Sequence, residues 1–236
     1  MNIHPRNNAT NRFPLFEEIF KDYENCTVFD FGGSSGNLLY FSNGKILDKK
    51  YTCLDISKEA IEKGKDEFPN STWIHYDRFN WMYNYNGNRE VIFPNVDQNQ
   101  DLIWAYSVFS HVDADEFIKT IEWFCNFNFK KIAVSFLDID SAEMKEYFYN
   151  KRKAEYGWCD EILKNVTSKD TDYFYFLDNN EYALNKYKCD CESKAYFLSF
   201  FNIEWLLFAL KQRGIEAKVI KPGDGYIPFL IIERQQ

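Results

Sequence analysis

The run Val28-Phe29-Asp30-Phe31 gives way to Gly32-Gly33-Ser34-Ser35-Gly36 and then to Asn37-Leu38-Leu39. β-Branched and aromatic residues have strand character, whereas glycines lack a Cβ, so the chain can turn sharply and a ligand can approach the backbone. Ser34 and Ser35 offer oxygens to cap a helix that Leu38, Leu39 and Phe41 begin. The stretch reads as a buried strand, a glycine turn and a helix start. Open parallel α/β sheets are built from that unit and bind ligands outside the carboxyl ends of their strands.

Spacing narrows the ligand. A dinucleotide fingerprint, G-x-G-x-x-G, needs glycine where Ser34 stands, and no Gly-Lys-Ser/Thr follows to make a Walker loop. An acid, Asp30, stands two residues before Gly32. The segment Asp30-Phe31-Gly32-Gly33-Ser34-Ser35-Gly36 resembles motif I of the class I S-adenosylmethionine-dependent methyltransferases, acidic-x-Gly-x-Gly-x-Gly, with Ser34 in the seat of the second glycine. The resemblance implies S-adenosyl-L-methionine as cofactor, held by Asp30, Gly32, Gly33, Ser34 and Gly36. A ligand carrying a sulfonium and an ammonium suits an acidic strand end. A glycine turn without a ligand is the alternative.

Tyr51-Thr52-Cys53-Leu54-Asp55 is a second strand ending in an acid, 19 residues beyond Gly36. At the end of the neighbouring strand a carboxylate can accept both hydroxyls of a ribose. By resemblance Asp55 is the motif II acid and Ile56 packs on the adenine. The competing role for Asp55 is to cap the helix Lys58 to Phe68, which Ser57 could do by itself. A third strand, Thr72 to Tyr76, leads to Asp77-Arg78-Phe79. The resemblance assigns Asp77 to the adenine amino group with Arg78 beside the ring, against a turn Asp next to a satisfied Arg. His75 reads as a packed residue.

Asp101 to Phe109 returns to strand character, with Tyr106 near its end, and runs into Ser110-His111-Val112-Asp113. This resembles motif IV, adds Tyr106 to the cofactor contacts and puts His111 where a general base would act. The other reading has the His111 ring bonding backbone at the next helix start.

The rest of the alternation is Pro14 opening a helix over Leu15 to Tyr23, a helix over Asp115 to Phe127, a strand over Lys130 to Leu137, and a helix from Ile203 to Arg213 capped by Asn202 and stopped by Gly214. Asp138 and Asp140 follow the fifth strand at the sheet edge, with Asp140 and Ser141 read as caps for a helix over Ala142 to Tyr156. Strands over Glu216 to Ile220 and Tyr226 to Glu233 share a short turn, which forces an antiparallel pair like the one that closes the class I sheet. The expected fold is α/β and Rossmann-like: a seven-stranded, mostly parallel sheet with helices on both faces, an antiparallel C-terminal hairpin and an inserted substrate lid. Residues 1–236 read as a single domain, with 157–200 as the lid. Strands at Tyr173–Leu177 and Ala195–Phe200 flank a polar stretch within it, and Tyr147, Trp158, Tyr173, Tyr175, Tyr182 and Tyr196 are candidate pocket residues. Asn80 to Gln100 is a long connection in which no helix is written. Met1 to Arg12 reads as a polar arm, from which His4 and Arg6 could approach the site.

Aromatic residues make up 19% of the 236, with 23 Phe, 16 Tyr and 6 Trp, more than a minimal core requires. A net charge of −8 and the lack of a basic stripe argue against nucleic acid as partner. Six scattered cysteines without a repeated C-x-x-C spacing, a polar start and no span-length apolar run point to the cytoplasm and to neither a membrane nor a metal. Cys189 and Cys191 form the one local pair. The expected activity is methyl transfer to oxygen or nitrogen of a small or carrier-borne metabolite. A non-catalytic binding protein of degenerate methyltransferase fold and an NAD-dependent oxidoreductase are the alternatives.

Overall fold

A computed structural model describes residues 10–80, 83–138, 140–141, 174–177, 198–223 and 227–234. In chain order the elements are α1 (Phe13–Ile19), β1 (Val28–Phe31), α2 (Asn37–Phe41), β2 (Tyr51–Asp55), α3 (Lys58–Glu67), β3 (Thr72–His75), β4 (Leu102–Ala105), α4 (Ala114–Cys125), β5 (Lys131–Ser135) and β6 (Leu137–Asp138). They continue with β7 (Phe174–Leu177), β8 (Leu198–Phe201), α5 (Ile203–Lys211), β9 (Lys218–Ile220) and β10 (Phe229–Glu233). A seven-stranded sheet runs β3-β2-β1-β4-β5-β10-β9, and a three-stranded sheet runs β6-β8-β7. The first five strands of the larger sheet are parallel, and β9 pairs antiparallel with β10. That is the expected seven-stranded sheet with its closing hairpin.

The chain divides into two compact units. One holds the residues up to Tyr106, Trp123–Val134 and the residues from Glu233 onward, and the other holds Ser107–Glu122 and Ser135–Ile232.

In the first unit every residue of β1 is buried, as a parallel strand covered on both faces requires. Alternation sends Phe29 and Phe31 to one face, where Phe29 meets Phe127 at 5.6 Å and Phe31 meets Phe124 at 5.2 Å between ring centres. On the other face α1 lays Phe16 against Trp104 at 5.6 Å. Each such buried ring contributes about 1.5–3 kcal/mol through removal from water. α1 starts two residues before the predicted Leu15 and ends at Ile19 instead of Tyr23, with Pro14 in its first turn. The connection from residue 80 to 100 carries no helix among its described residues. Phe93 pins it by stacking on Trp123, 4.5 Å apart and 5° from parallel. At the far end of the strands, Asp101 accepts the Thr27 N–H at 2.8 Å and the Thr27 hydroxyl at 3.0 Å and pairs with Lys130 at 2.9 Å. Burial raises the Asp101 carboxyl, but these partners outweigh it and hold the group below the usual range.

In the second unit Phe117 of α4 stacks on Phe109 at 4.2 Å and meets Phe201 edge-on at 4.8 Å. The strand predicted over Lys130 to Leu137 is two strands: the Phe136 N–H leaves for the Pro228 carbonyl at 3.2 Å, and Leu137–Asp138 pairs with β8 in the smaller sheet. Asp138 thus belongs to the smaller sheet and does not end the fifth strand of the larger one. It is buried, accepts the Asp140 N–H at 3.0 Å and faces Lys221 at 3.4 Å. Asn202 caps α5 by accepting the Trp205 N–H at 2.8 Å, and Gly214 follows the helix with φ +73°. β7 and β8 pair antiparallel within the expected lid segment. The rest of that segment, Cys189 and Cys191, the helix expected over 142–156, the arm with His4 and Arg6, and the candidate pocket aromatics at 147, 158, 173, 182 and 196 lie outside the described residues. No helix among the described residues is long and apolar enough to cross a membrane.

Candidate functional site

At the carboxyl ends of β1 and β4 a cleft of about 220 Å³ opens in the first unit. Its lining comes from three places: Asp30 and the turn Gly32, Gly33 and Ser34 with Asn37 and Leu38 behind it; Trp104 and Tyr106 at the end of β4; and Thr10 and Arg12 from the segment before α1. Thus the acid and glycines of the sequence motif do meet in a concave site.

The turn is tightly built. Gly33 carries no Cβ because one would stand 2.6 Å from both Cγ and Oδ2 of Asp30 and 2.8 Å from Cys53 Sγ. Ser34 adopts φ +54°, the left-handed region that a glycine would occupy at no cost, and Gly36 adopts +80°. Gly36 also lies under the Trp73 ring, where a Cβ would come within 2.6 Å of Cη2. Gly36 occupies the N-cap position of α2 and no side chain bonds there, so Ser34 and Ser35 do not cap this helix as their placement suggests. The αL turn puts the helix start one step later than a serine cap would.

Four amides of the turn are occupied. Gly32 and Gly33 donate to the Leu54 carbonyl at 2.7 and 3.4 Å, and Gly36 donates to the Gly33 carbonyl at 3.0 Å. Ser34 donates its N–H to Asp55 Oδ2 at 2.7 Å. The other Asp55 oxygen accepts the Ser57 N–H at 2.8 Å, so this carboxylate ties the turn to the start of α3. Ser57 caps α3 unaided by accepting the Ala60 N–H at 3.2 Å. Burial raises the Asp55 carboxyl above its ordinary range despite these bonds and the nearby His75.

Asp30 is 3% exposed and lines the cleft. Among the described residues its carboxyl has one hydrogen bond, from the Tyr51 hydroxyl to Oδ2 at 2.5 Å, and no salt bridge. Burial pushes its pKa up to about 7; the Tyr51 bond opposes that shift and the Asp55 charge adds to it. Across from it the Arg12 guanidinium lies over the Tyr106 ring at 4.6 Å, and Tyr106 in turn lies parallel to Trp104, 6.1 Å away.

The remaining predicted residues are dispersed. Ile56 follows β2, and its carbonyl takes a contact from the His75 ring at 3.2 Å. Asp77 is exposed and accepts from Asn84 Nδ2 at 3.1 Å, while Arg78 donates to the Asn88 and Arg89 carbonyls at 3.2 and 2.9 Å. Both thereby hold the loop that follows β3. His111 closes a single 3-10 turn, Phe109–His111, and belongs to the second unit. Five cleft residues, Thr10, Arg12, Asn37, Leu38 and Trp104, are not among the expected site residues. Arg12 precedes a helix expected to cover the sheet near β1, but the residues read as able to approach the site are His4 and Arg6. Among the described residues no group of three or more His, Cys, Asp or Glu is arranged to hold a metal ion.

No family model matches the sequence, and no curated protein matches it. Solved structures do. The chain is similar to mitomycin 7-O-methyltransferase, with a TM-score of 0.55 at 11% identity over 95% of this chain and 54% of that one, so it spans about half of that enzyme's length. It is similar to an S-adenosylmethionine-dependent methyltransferase from Clostridium acetobutylicum, with a TM-score of 0.51 at 12% identity over 98% and 95% of the two chains. It is also similar to magnesium protoporphyrin IX methyltransferase from Synechocystis PCC 6803, solved with bound S-adenosylhomocysteine, with a TM-score of 0.50 at 10% identity over 94% and 80%. The fold is that of the class I S-adenosylmethionine-dependent methyltransferases.

Proposed function

We propose that the chain is an S-adenosylmethionine-dependent methyltransferase. The observation that carries the reading is that Arg12 and Asp30 line one small cleft, above a turn four of whose amides are already used. A phosphate-binding turn needs free N–H groups aimed at the anion. Here Gly32, Gly33, Ser34 and Gly36 spend theirs internally, and two carboxylates flank the turn. That chemistry disfavours a pyrophosphate, and with it the NAD reading. It fits a ligand end carrying both an ammonium and a carboxylate.

In this reading Asp30 receives the ammonium of the methionine moiety and Arg12 its carboxylate, with Thr10, Ser34 and Asn37 as further polar neighbours. Asp55 turns its remaining acceptor capacity to the ribose. Ile56, Asp77, Arg78 and Tyr106 are carried by resemblance as the other cofactor contacts. The cofactor, when bound, supplies an electrophilic methyl group. The protein's part is to align the acceptor and to exclude water. Where an acceptor proton has to leave, His111 is carried by resemblance as the general base. The acceptor is assigned as oxygen or nitrogen of a small or carrier-borne metabolite, supported by the acidic net charge of −8 and by likeness in fold to enzymes that act on such molecules.

Thermal unfolding with S-adenosylhomocysteine, S-adenosylmethionine or NAD added separately tests this. At about 100 times the dissociation constant a ligand stabilises by about 2.7 kcal/mol, a rise of roughly 5–10 °C for a chain of this size. A rise with the first two compounds alone is expected. A rise with NAD alone replaces the assignment, and no rise with any leaves a binding protein of this fold.

A further inference from the structure

Asp30 has to meet two opposing demands. It must stand in the cleft as an anion to hold a cation, yet it is almost entirely buried at the end of β1. Desolvation of a carboxylate favours its neutral form, and a hydrogen bond donated to the charged form counteracts that. Tyr51 is placed to make such a bond. It is 1% exposed, begins β2, and lies opposite Val28 in the parallel pairing, so its ring runs along the sheet face towards Asp30 two residues further on. Its hydroxyl reaches Oδ2 at 2.5 Å. The indole of Trp73, 6.0 Å away edge-on, backs the ring.

We propose that Tyr51 is a positioning residue for ligand binding: its hydroxyl holds one oxygen of Asp30, favouring the carboxylate anion and leaving the other oxygen for the ammonium of an amino-acid moiety. The proposal rests on the methyl-donor reading for the identity of the ligand, but not for the Tyr51–Asp30 linkage itself. The groups that face Asp30 are Tyr51, Cys53 and Asp55 from β2, Tyr106 from the end of β4 and Arg12 from the segment before α1; the turn contributes no titratable side chain, and the one on α2, Tyr40, is half-exposed and does not line the cleft. Cys53 is neutral, since burial and the Asp30 charge raise its thiol well above the ordinary range. Tyr51 therefore favours the Asp30 anion, and Asp55 disfavours it. Removing the Tyr51 hydroxyl removes the one hydrogen bond among the described residues that holds the anion.

The test compares wild type with Tyr51→Phe in two readouts. The first is the carbon-13 NMR titration of the Asp30 carboxyl in the ligand-free protein, where the variant should raise the midpoint by about one pH unit. The second is calorimetric binding of S-adenosylhomocysteine between pH 6 and 8.5, alongside 5′-methylthioadenosine, which has no amino-acid end. S-Adenosylhomocysteine should bind about fivefold more weakly to the variant near pH 7, with the loss shrinking as pH rises, and 5′-methylthioadenosine should bind equally to both. If wild type fails to bind S-adenosylhomocysteine, the methyl-donor reading falls and the NMR arm still decides the linkage. An unmoved Asp30 midpoint, or equal losses for both compounds, overturns the proposal. Should Tyr51→Phe not fold, 3-fluorotyrosine at position 51, a stronger donor, must lower the midpoint, and an unchanged midpoint overturns the proposal as well.

Discussion

Trp73 rests on Gly64: the indole of β3 occupies the space over the bare Cα on α3, where an added Cβ would overlap the ring, and the indole N–H donates to the Phe68 carbonyl at 3.1 Å. Gly64 is buried in the interior of a ten-residue helix. On propensity alone Gly64→Ala should stabilise that helix by about 1 kcal/mol. The overlap reverses the sign, and we expect Gly64→Ala to destabilise by roughly 1–3 kcal/mol, as overpacking does. Urea unfolding measures it, and the loss should shrink in the Gly64→Ala/Trp73→Phe double variant. Stabilisation by Gly64→Ala alone would contradict the packing described.

Asp55 binds two backbone N–H groups, those of Ser34 and Ser57, and is nine-tenths buried. Asp55→Ala leaves both amides without their acceptor. Hydrogen bonds to a charged group contribute about 1.5–3 kcal/mol each, so a fall in Tm of roughly 5–15 °C is expected without any ligand present. A Tm within 1 °C of wild type would mean that Asp55 does not hold the turn.

The buried Asp30 has its pKa pushed up to about 7, from an ordinary value of 3.8. Between those values the unfolded chain has lost the proton and the folded one retains it, so stability falls as pH rises from about 4 to 7 and the cost is fully present above 7. For this group it amounts to at most about 4 kcal/mol. Asp30→Asn removes the cost while keeping an acceptor for Tyr51. We expect the variant to melt higher than wild type at pH 8, with the difference shrinking towards pH 5, and to lose S-adenosylhomocysteine binding. Parallel melting curves for the two proteins across pH 5–8 would refute the burial cost.

Arg12→Met keeps an unbranched side chain at the cleft and deletes the guanidinium that lies over Tyr106. On the proposed reading, S-adenosylhomocysteine affinity drops about tenfold or more, while 5′-methylthioadenosine binding is unchanged. Isothermal calorimetry on the two compounds separates this from a general loss of the cleft.

Punctuated segments were the legible ones. Gly32-Gly33 marked the end of β1, Ser57 the start of α3, and Asn202 with Gly214 both ends of α5, because each effect is local to the residue that causes it. Errors arose where a distant partner decides. β4 stops at Ala105 and not at Phe109, because Ser107 takes φ +61° and gives its N–H to the Ser135 hydroxyl at 2.8 Å. β5 divides at Phe136 because its N–H goes to Pro228, 92 positions later in the chain. In the cleft, Asp30 and the glycines were visible as a motif. Arg12 and Tyr51 carry no motif: the segment before α1 brings Arg12 to the cleft, and the register of β2 against β1 brings Tyr51 to Asp30 beneath it.

The Phe93–Trp123 stack has a bearing on how the chain tolerates change. Phe93 fastens the connection at one point, the Asp77–Asn88 loop before it is closed on itself at 2.8 Å, and after it the Gln98 carbonyl accepts the Asn128 N–H at 2.7 Å, so the slack lies between that loop and the ring. Closing a flexible loop of twice the length costs only about 0.6 kcal/mol. Val91 and Ile92, the latter 58% exposed, are therefore the place where a reporter peptide or a protease site could be spliced in while the sheet and its cleft stay intact.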